Sequence, residues 1–176
     1  MKRALLLLLL GLIITGCATA GTSAVPWPSP LTLTQPPTVL GDAGLVMTLA
    51  PDWSVAATGD SFLSWQGPSR AGGRAIMRLI YQDDYQHSLD DLAVSAARVD
   101  GVSAPSAPAV ISIAGTEGRQ SSGLTGASNH KVIAVAWRRN IRTYVLILQW
   151  TEEADGRALA AMVGSIALAP SNAGSP

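Results

Sequence analysis

The residue best placed for chemistry is Cys17, the only cysteine of the 176-residue chain. It has no intramolecular disulfide partner, and its thiolate would be a strong nucleophile. Ile14-Thr15-Gly16 precede it. A second group is His87 with Asp83, Asp84, Asp90 and Asp91 close by. Such a set could bind a divalent cation or position His87 as a base. The competing reading is a solvated acidic loop followed by a helix start, where Asp is common. A third group is Arg138, Arg139 and Arg142, read as a candidate partner-binding cluster because guanidinium matches carboxylate and phosphate in bidentate fashion. Its alternative is a charged loop tip that keeps a sheet edge soluble. The loop from Gly67 to Arg74 could cradle an anion between Arg70 and Arg74. It lacks the following helix that such sites use, so its Gly and Pro content favours a flexible hairpin connection. His130 begins a strand and reads as an exposed edge residue. The sequence contains no Gly-x-Ser-x-Gly elbow, no His-Glu-x-x-His pair and no phosphate-binding glycine loop. No catalytic, cofactor-binding or metal-ligating residue is therefore assigned, and no cofactor is expected.

Cys17 takes its meaning from what precedes it. Lys2 and Arg3 form a positive n-region, and Ala4 to Ile14 form an apolar h-region. At about 11 residues it is too short to span roughly 30 Å of hydrocarbon. Residues 1–16 are read as a signal peptide for export. The run Ile14-Thr15-Gly16-Cys17 resembles the lipobox of bacterial lipoproteins. The resemblance implies a diacylglyceryl group on the Cys17 sulfur, cleavage just before it, and acylation of the new amino group. The alternative is conventional cleavage at Ala18-Thr19-Ala20. Two or three acyl chains, at about 0.8 kcal/mol per buried CH₂, would anchor the chain firmly. Proteobacterial lipoproteins retained at the inner membrane tend to carry Asp after the cysteine. Ala18 in that place implies the outer membrane, facing the periplasm, in a Gram-negative cell.

Behind the anchor, residues 17–40 are read as a tether, within which Thr19 to Thr38 carries Pro26, Pro28, Pro30, Pro36 and Pro37 among Ser, Thr and Gly. Proline fixes φ and removes donors, so this stretch is expected to be a semi-extended tether reaching up to roughly 60 Å. Trp27 within it has three readings: the lipid interface, a partner, or its own domain.

The elements that must position the other groups begin near Gly41, and residues 41–169 read as a single domain. Leu45 to Leu49, Ser61 to Trp65 and Ala75 to Tyr81 read as strands. Ser88 reads as an N-cap with Asp91 three residues on, and Leu89, Leu92, Ala96 and Val99 as one face of a helix ending near Gly101. Val110 to Ile113 and the polar run Glu117 to Ser122 return to strand. Lys131 to Trp137 and Tyr144 to Trp150 form a hairpin around a turn at Arg139-Asn140. Thr151 is expected to cap a last helix with Leu159, Met162 and Val163 buried, Ile166 extending the stripe. Trp53, Trp65, Trp137 and Trp150 read as core aromatics. Residues 170–176 are a polar tail. Strands, helix, strands, helix make an α+β domain, an antiparallel β-sheet covered by helices.

The run Leu45-Val46-Met47-Thr48-Leu49-Ala50-Pro51-Asp52-Trp53 resembles the opening of PsbP-like (Mog/PsbP, DcrB-like) domains. Asp52 stands where those domains usually have Gly. Ser88-Leu89-Asp90-Asp91-Leu92 is similar to their first helix, and the late hairpin and final helix fit their order. The resemblance spans most of Leu45 to Leu168 and implies a PsbP-like sandwich. It also implies a protein-binding or assembly-stabilising role with no shared catalytic centre.

Composition bounds the function. The chain is 48% hydrophobic and 14% charged, with 12 basic and 12 acidic residues. Mean hydropathy is +0.28. A net charge of +0 argues against nucleic-acid binding, which needs a basic field. Without the leader, 10 basic residues face 12 acidic ones, about −2, and mean hydropathy falls to about +0.1. The expectation is a lipid-anchored envelope module that binds or scaffolds an envelope protein, without catalysis. Two alternatives stand beside it. One is an envelope hydrolase or metal-dependent enzyme built on His87, Asp83 and Asp84. The other is a carrier of small apolar ligands, which would need a large apolar pocket beside the sheet.

Overall fold

The computed structural model describes Ala24 to Ala169, apart from Ala127. The leader, Ile14-Thr15-Gly16-Cys17 and the tail from Pro170 lie outside the described residues. Strand β1 (Pro37–Val39) and a 3-10 turn (Gly41–Ala43) lead into β2 (Leu45–Thr48). Then come β3 (Ser54–Gly59), β4 (Phe62–Gln66), β5 (Ile76–Asp83) and helix α1 (Leu89–Val99). Strands β6 (Ala109–Ile113), β7 (Thr116–Leu124), β8 (Lys131–Arg139) and β9 (Arg142–Trp150) follow. Helix α2 (Glu153–Gly164) and β10 (Ala167–Leu168) close the domain.

The strands form two antiparallel sheets. Seven lie in the order β3-β4-β5-β9-β8-β7-β6, and three in the order β1-β2-β10. The β8–β9 hairpin is central because both its faces are apolar. Ile133 pairs with Leu148, Val135 with Leu146 and Trp137 with Tyr144 on one face. Ala134 pairs with Ile147 and Ala136 with Val145 on the other. Its turn residues are Asn140 and Ile141, one place later than expected. Asn140 adopts φ 52°, a left-handed conformation that Asn tolerates.

Each face of the large sheet meets its own cover. The first packs Met77, Leu79, Leu146, Leu148 and Trp150 against Leu45 and Met47 of the small sheet and Leu159 and Met162 of α2. Trp53, Trp65 and Trp137 are buried in the same core, as expected. The second face packs Val132, Ala134 and Ile147 against Ala97 of α1 and Val102. The buried residues of α1 are Ala93 and Ala97. Their small side chains let the helix lie close on β7 and β8. This turns the helix from the expected Leu89-Leu92-Ala96-Val99 face, and Val99 is 81% exposed. Ser88 holds the N-cap position without a side-chain cap bond, and Asp90 and Asp91 lie in the first turn, at the positive helix end. The cap of α2 also differs: Glu152 occupies it, while the Thr151 hydroxyl donates to the Gly72 carbonyl at 3.1 Å. Ile166 is buried, but beyond the end of the helix.

The expected tether differs most. From Ala24 onward the segment lies on the domain. The Val25 amide donates to Ser122 Oγ at 2.9 Å, and the Trp27 indole N–H to Gln120 Oε1. Leu31 and Leu33 pack against the core, and Leu40 is buried in it. Apolar side chains between the prolines gain more by burial than an extended chain would in water. Of the three readings of Trp27, packing on its own domain is the one observed. No described helix is long and apolar enough to cross a membrane.

Candidate functional site

The three arginines lie where the β8–β9 turn meets the β5–α1 loop and the 3-10 turn. Their roles separate. Arg138 donates through Nη2 to the Tyr85 carbonyl at 2.6 Å and the His87 carbonyl at 2.9 Å. Its Nε reaches Thr143 Oγ1 at 2.9 Å. It therefore closes the β5–α1 loop onto the sheet. Arg142 donates to both oxygens of Asp83 and to the Asp42 carbonyl. Its guanidinium lies 5.4 Å from the centroid of the Tyr81 ring, a cation–π distance. The hydrogen bonds from Arg142 hold the Asp83 carboxyl below the usual carboxylate range, and Asp83 raises Arg142 in turn. Beneath them Tyr144 stacks on Trp137, centroids 4.9 Å apart, and donates to the Ala43 carbonyl at 2.8 Å. Burial pushes the phenols of Tyr81 and Tyr144 up.

The Arg139 side chain has no hydrogen bond among the described residues. With Asn140, Ile141 and Leu168 it borders a shallow hollow of about 280 Å³. Ile141 is 61% and Leu168 39% exposed. The arginine cluster thus splits into two positioning residues, Arg138 and Arg142, and one free guanidinium beside an exposed apolar side chain.

The structure does not assemble the other candidate sites. Asp83 is engaged by Arg142, and Asp90 by Arg119 at 3.0 Å. His87 is exposed and its ring packs on Tyr85, centroids 4.7 Å apart. Among the described residues no three His, Cys, Asp or Glu stand close enough to hold a metal ion. The hollow bordered by Ile80, Tyr85, Leu92 and Val145 measures about 150 Å³. Pockets for ordinary small ligands run from about 300 Å³, and this hollow is smaller. Arg70 is taken up by buried Asp155, Nε to Oδ1 at 2.9 Å, and its loop closes through paired Arg70 and Gly73. That removes the anion cradle and leaves a hairpin connection. His130 is half-buried, its Nδ1 2.6 Å from Gln149 Nε2, rather than an exposed edge residue.

One feature escaped the sequence. Between the free edges of β1 and β3 runs a groove of about 320 Å³, with Val39 on one side and Val55 on the other. Its only signal in the sequence is that Ser54 to Gly59 is a strand with no charge and no proline.

No family model matches the chain, and no curated protein matches it. Solved structures do share its fold. A protein of Bacteroides thetaiotaomicron VPI-5482 superposes with a TM-score of 0.52 at 9% identity, over 81% of this chain and 51% of that one. This chain therefore spans about half of that protein's length. LpqN, described as involved in cell envelope biogenesis of Mycobacterium tuberculosis, gives 0.50 at 13% identity, over 78% of this chain and 91% of that one. Cyanobacterial PsbP (CyanoP) from Synechocystis sp. PCC 6803 gives 0.52 at 9% identity, over 89% and 99%. At these identities the likeness is one of fold: the described residues form a PsbP-like α+β sandwich of two antiparallel sheets covered by two helices.

Proposed function

We propose that the protein is a lipoprotein of the bacterial envelope. Acyl chains on Cys17 hold it to the membrane, the outer membrane in a Gram-negative cell, and its domain binds an envelope protein without catalysing a reaction. The observation that carries the binding role is Ile141, 61% exposed at a turn whose two sides are locked. Scattered apolar exposure is ordinary on a surface. Here Arg138 and Arg142 fix the base of the turn, so Ile141 and Arg139 project from a rigid support. Little loop entropy is then lost on binding. Arg is enriched among interface anchors, and the free guanidinium of Arg139 suits a carboxylate on the partner. LpqN, of the same fold, is described as involved in cell envelope biogenesis, which supports an envelope setting.

Two substitutions test the two halves separately. Cys17→Ser should move the protein out of the membrane fraction and abolish labelling by a fatty-acid analogue. No label in the parent protein sinks the anchor. Mild crosslinking of the full-length protein in cells should recover one defined envelope protein. Arg139→Glu with Ile141→Asp should lose it while the fold is retained. Recovery unchanged by that pair sinks the turn as the binding surface.

A further inference from the structure

The two sheets of the sandwich end side by side at β1 and β3, each the outermost strand of its sheet. The groove between them has core side chains, Leu63, Trp65 and Tyr81, for its floor. Val39 from β1 is 62% exposed and Val55 from β3 is 54% exposed, so its two walls are apolar and bare. Asp42 and Asp60 also line it, and no Lys or Arg does. After burial, the Asp42 carboxylate is the largest influence raising the Tyr81 phenol, and Asp60 acts in the same sense. Both carboxylates therefore act on the groove floor. Arg142 lies over the Tyr81 ring and donates to the Asp42 carbonyl, but both oxygens of Asp83 already engage its guanidinium.

β3 forms the open side. All six of its residues are exposed, none is charged and none is proline. Its outer edge offers unpaired backbone N–H and C=O groups to an incoming strand. The β6–β7 side of the sandwich differs, because Val25 and Trp27 of the chain itself are seated there on Ser122 and Gln120.

We propose that the groove between β1 and β3 receives an extended peptide bearing a basic residue. The peptide adds a strand to β3, places an apolar side chain between Val39 and Val55, and sets its cationic group against Asp42 and Asp60. Strand addition supplies main-chain hydrogen bonds, and the groove reads alternate side chains. A second copy of the chain fits less well. A two-fold interface would bring the carboxylates of one copy toward those of the other. The bulge between Val55 and Ala57 also interrupts the regular register that two β3 edges would need.

The test uses the full-length protein in detergent and a fluorescent peptide of alternating Val, Thr and Lys. Controls carry Glu for Lys, or Pro at alternate positions. The Lys peptide should bind, and the Glu and Pro peptides should not. Asp42→Asn with Asp60→Asn should weaken the Lys peptide about 2- to 30-fold, the range for two exposed charge pairs. Added salt should shrink that difference. Val55→Lys should abolish binding with the circular dichroism unchanged. Ile141→Asp should leave it intact, which separates this groove from the β8–β9 turn. Absence of binding by the Lys peptide at millimolar concentration overturns the proposal. Equal binding of the Glu peptide overturns it too, as does displacement of the peptide by an uncharged apolar ligand in both parent and Asn variant alike. A dimer in sedimentation that Val55→Lys dissolves would assign the edge to self-pairing instead.

Discussion

Arg142 grips Asp83 with two hydrogen bonds, Nε to Oδ1 at 2.6 Å and Nη2 to Oδ2 at 3.0 Å. The two are cross-strand partners at the ends of β9 and β5. The pair is therefore fixed by sheet register before its charges meet, and the entropy of bringing them together is already spent. It ties the base of the β8–β9 turn to the β5–α1 loop, and through the Asp42 carbonyl to the 3-10 turn.

The pair makes stability depend on pH. Arg142 lowers the Asp83 carboxyl from its ordinary value of 3.8. A lowered folded value means a contribution fully present above 3.8 and lost as pH falls through the folded value. Thermal unfolding of the parent and of Asp83→Asn should differ most near neutral pH, with the parent more stable. The gap should close in strong acid. A gap that does not change with pH would show that Asp83 acts by shape alone.

A different ion pair anchors α1. Asp100 caps its C-terminus with a side chain only 5% exposed, at the end where the helix dipole disfavours an anion. Arg78 of β5 donates to it through Nη2. Arg78→Met would strand the carboxylate, costing at least about 1–3 kcal/mol. Adding Asp100→Asn should recover part of the loss, because the remaining polar group is then neutral. Urea unfolding of the parent, both single variants and the double variant measures the coupling. Strictly additive losses would mean that the two side chains do not support one another.

These relationships explain what could be read from the chain. The β8–β9 hairpin was legible because Ile133, Val135 and Trp137 alternate with Val132, Ala134 and Ala136. The four buried tryptophans were legible for the same reason, each within or beside a run of strand-forming residues. β1 and β10 were not, because three and two residues carry no period. Each becomes a strand only by pairing with β2. The face of α1 was hidden because Ala93 and Ala97 matter for their smallness rather than their hydrophobicity. The arginine cluster was visible by composition. Which arginine stays free depends on Asp83, Tyr85 and His87, more than 50 residues away. The groove between β1 and β3 belongs to two sheets at once, and only its β3 side, uncharged and without proline, leaves a trace in the sequence.

Gly156 should resist replacement although it lies in a helix. Alanine in a helix interior is ordinarily worth roughly 0.8–1.0 kcal/mol over glycine. A Cβ on Gly156 would stand 2.5 Å from Trp150 Nε1 and 3.0 Å from Pro28 Cγ. The indole is fixed in the core, so either it or the Pro28 segment must move. Overpacking of this kind costs about 1–3 kcal/mol. Gly156→Ala should lower the unfolding midpoint, while Gly164→Ala, with open space around it, should not. A stabilised Gly156→Ala would mean that the Pro28 segment yields freely.

The hold of the Pro28 segment also sets how far the domain would stand from the proposed lipid on Cys17. Ala24, the first described residue, lies seven positions beyond Cys17, a span that reaches at most about 25 Å. A free tether over Thr19 to Thr38 alone would reach roughly 60 Å. Val25, Trp27 and Leu31 hold the segment on the domain, so the proposed lipid on Cys17 would keep the domain close to the bilayer. Trp27→Ala should release the strap, at a cost of up to about 3 kcal/mol for the lost burial. Hydrogen exchange reads this directly: the Val25 amide, bonded to buried Ser122, should be protected in the parent and lose protection in the variant. Limited proteolysis between Pro26 and Leu33 should quicken in step. Equal cleavage rates in parent and variant would mean that the strap is open from the start and that the longer tether describes the protein better.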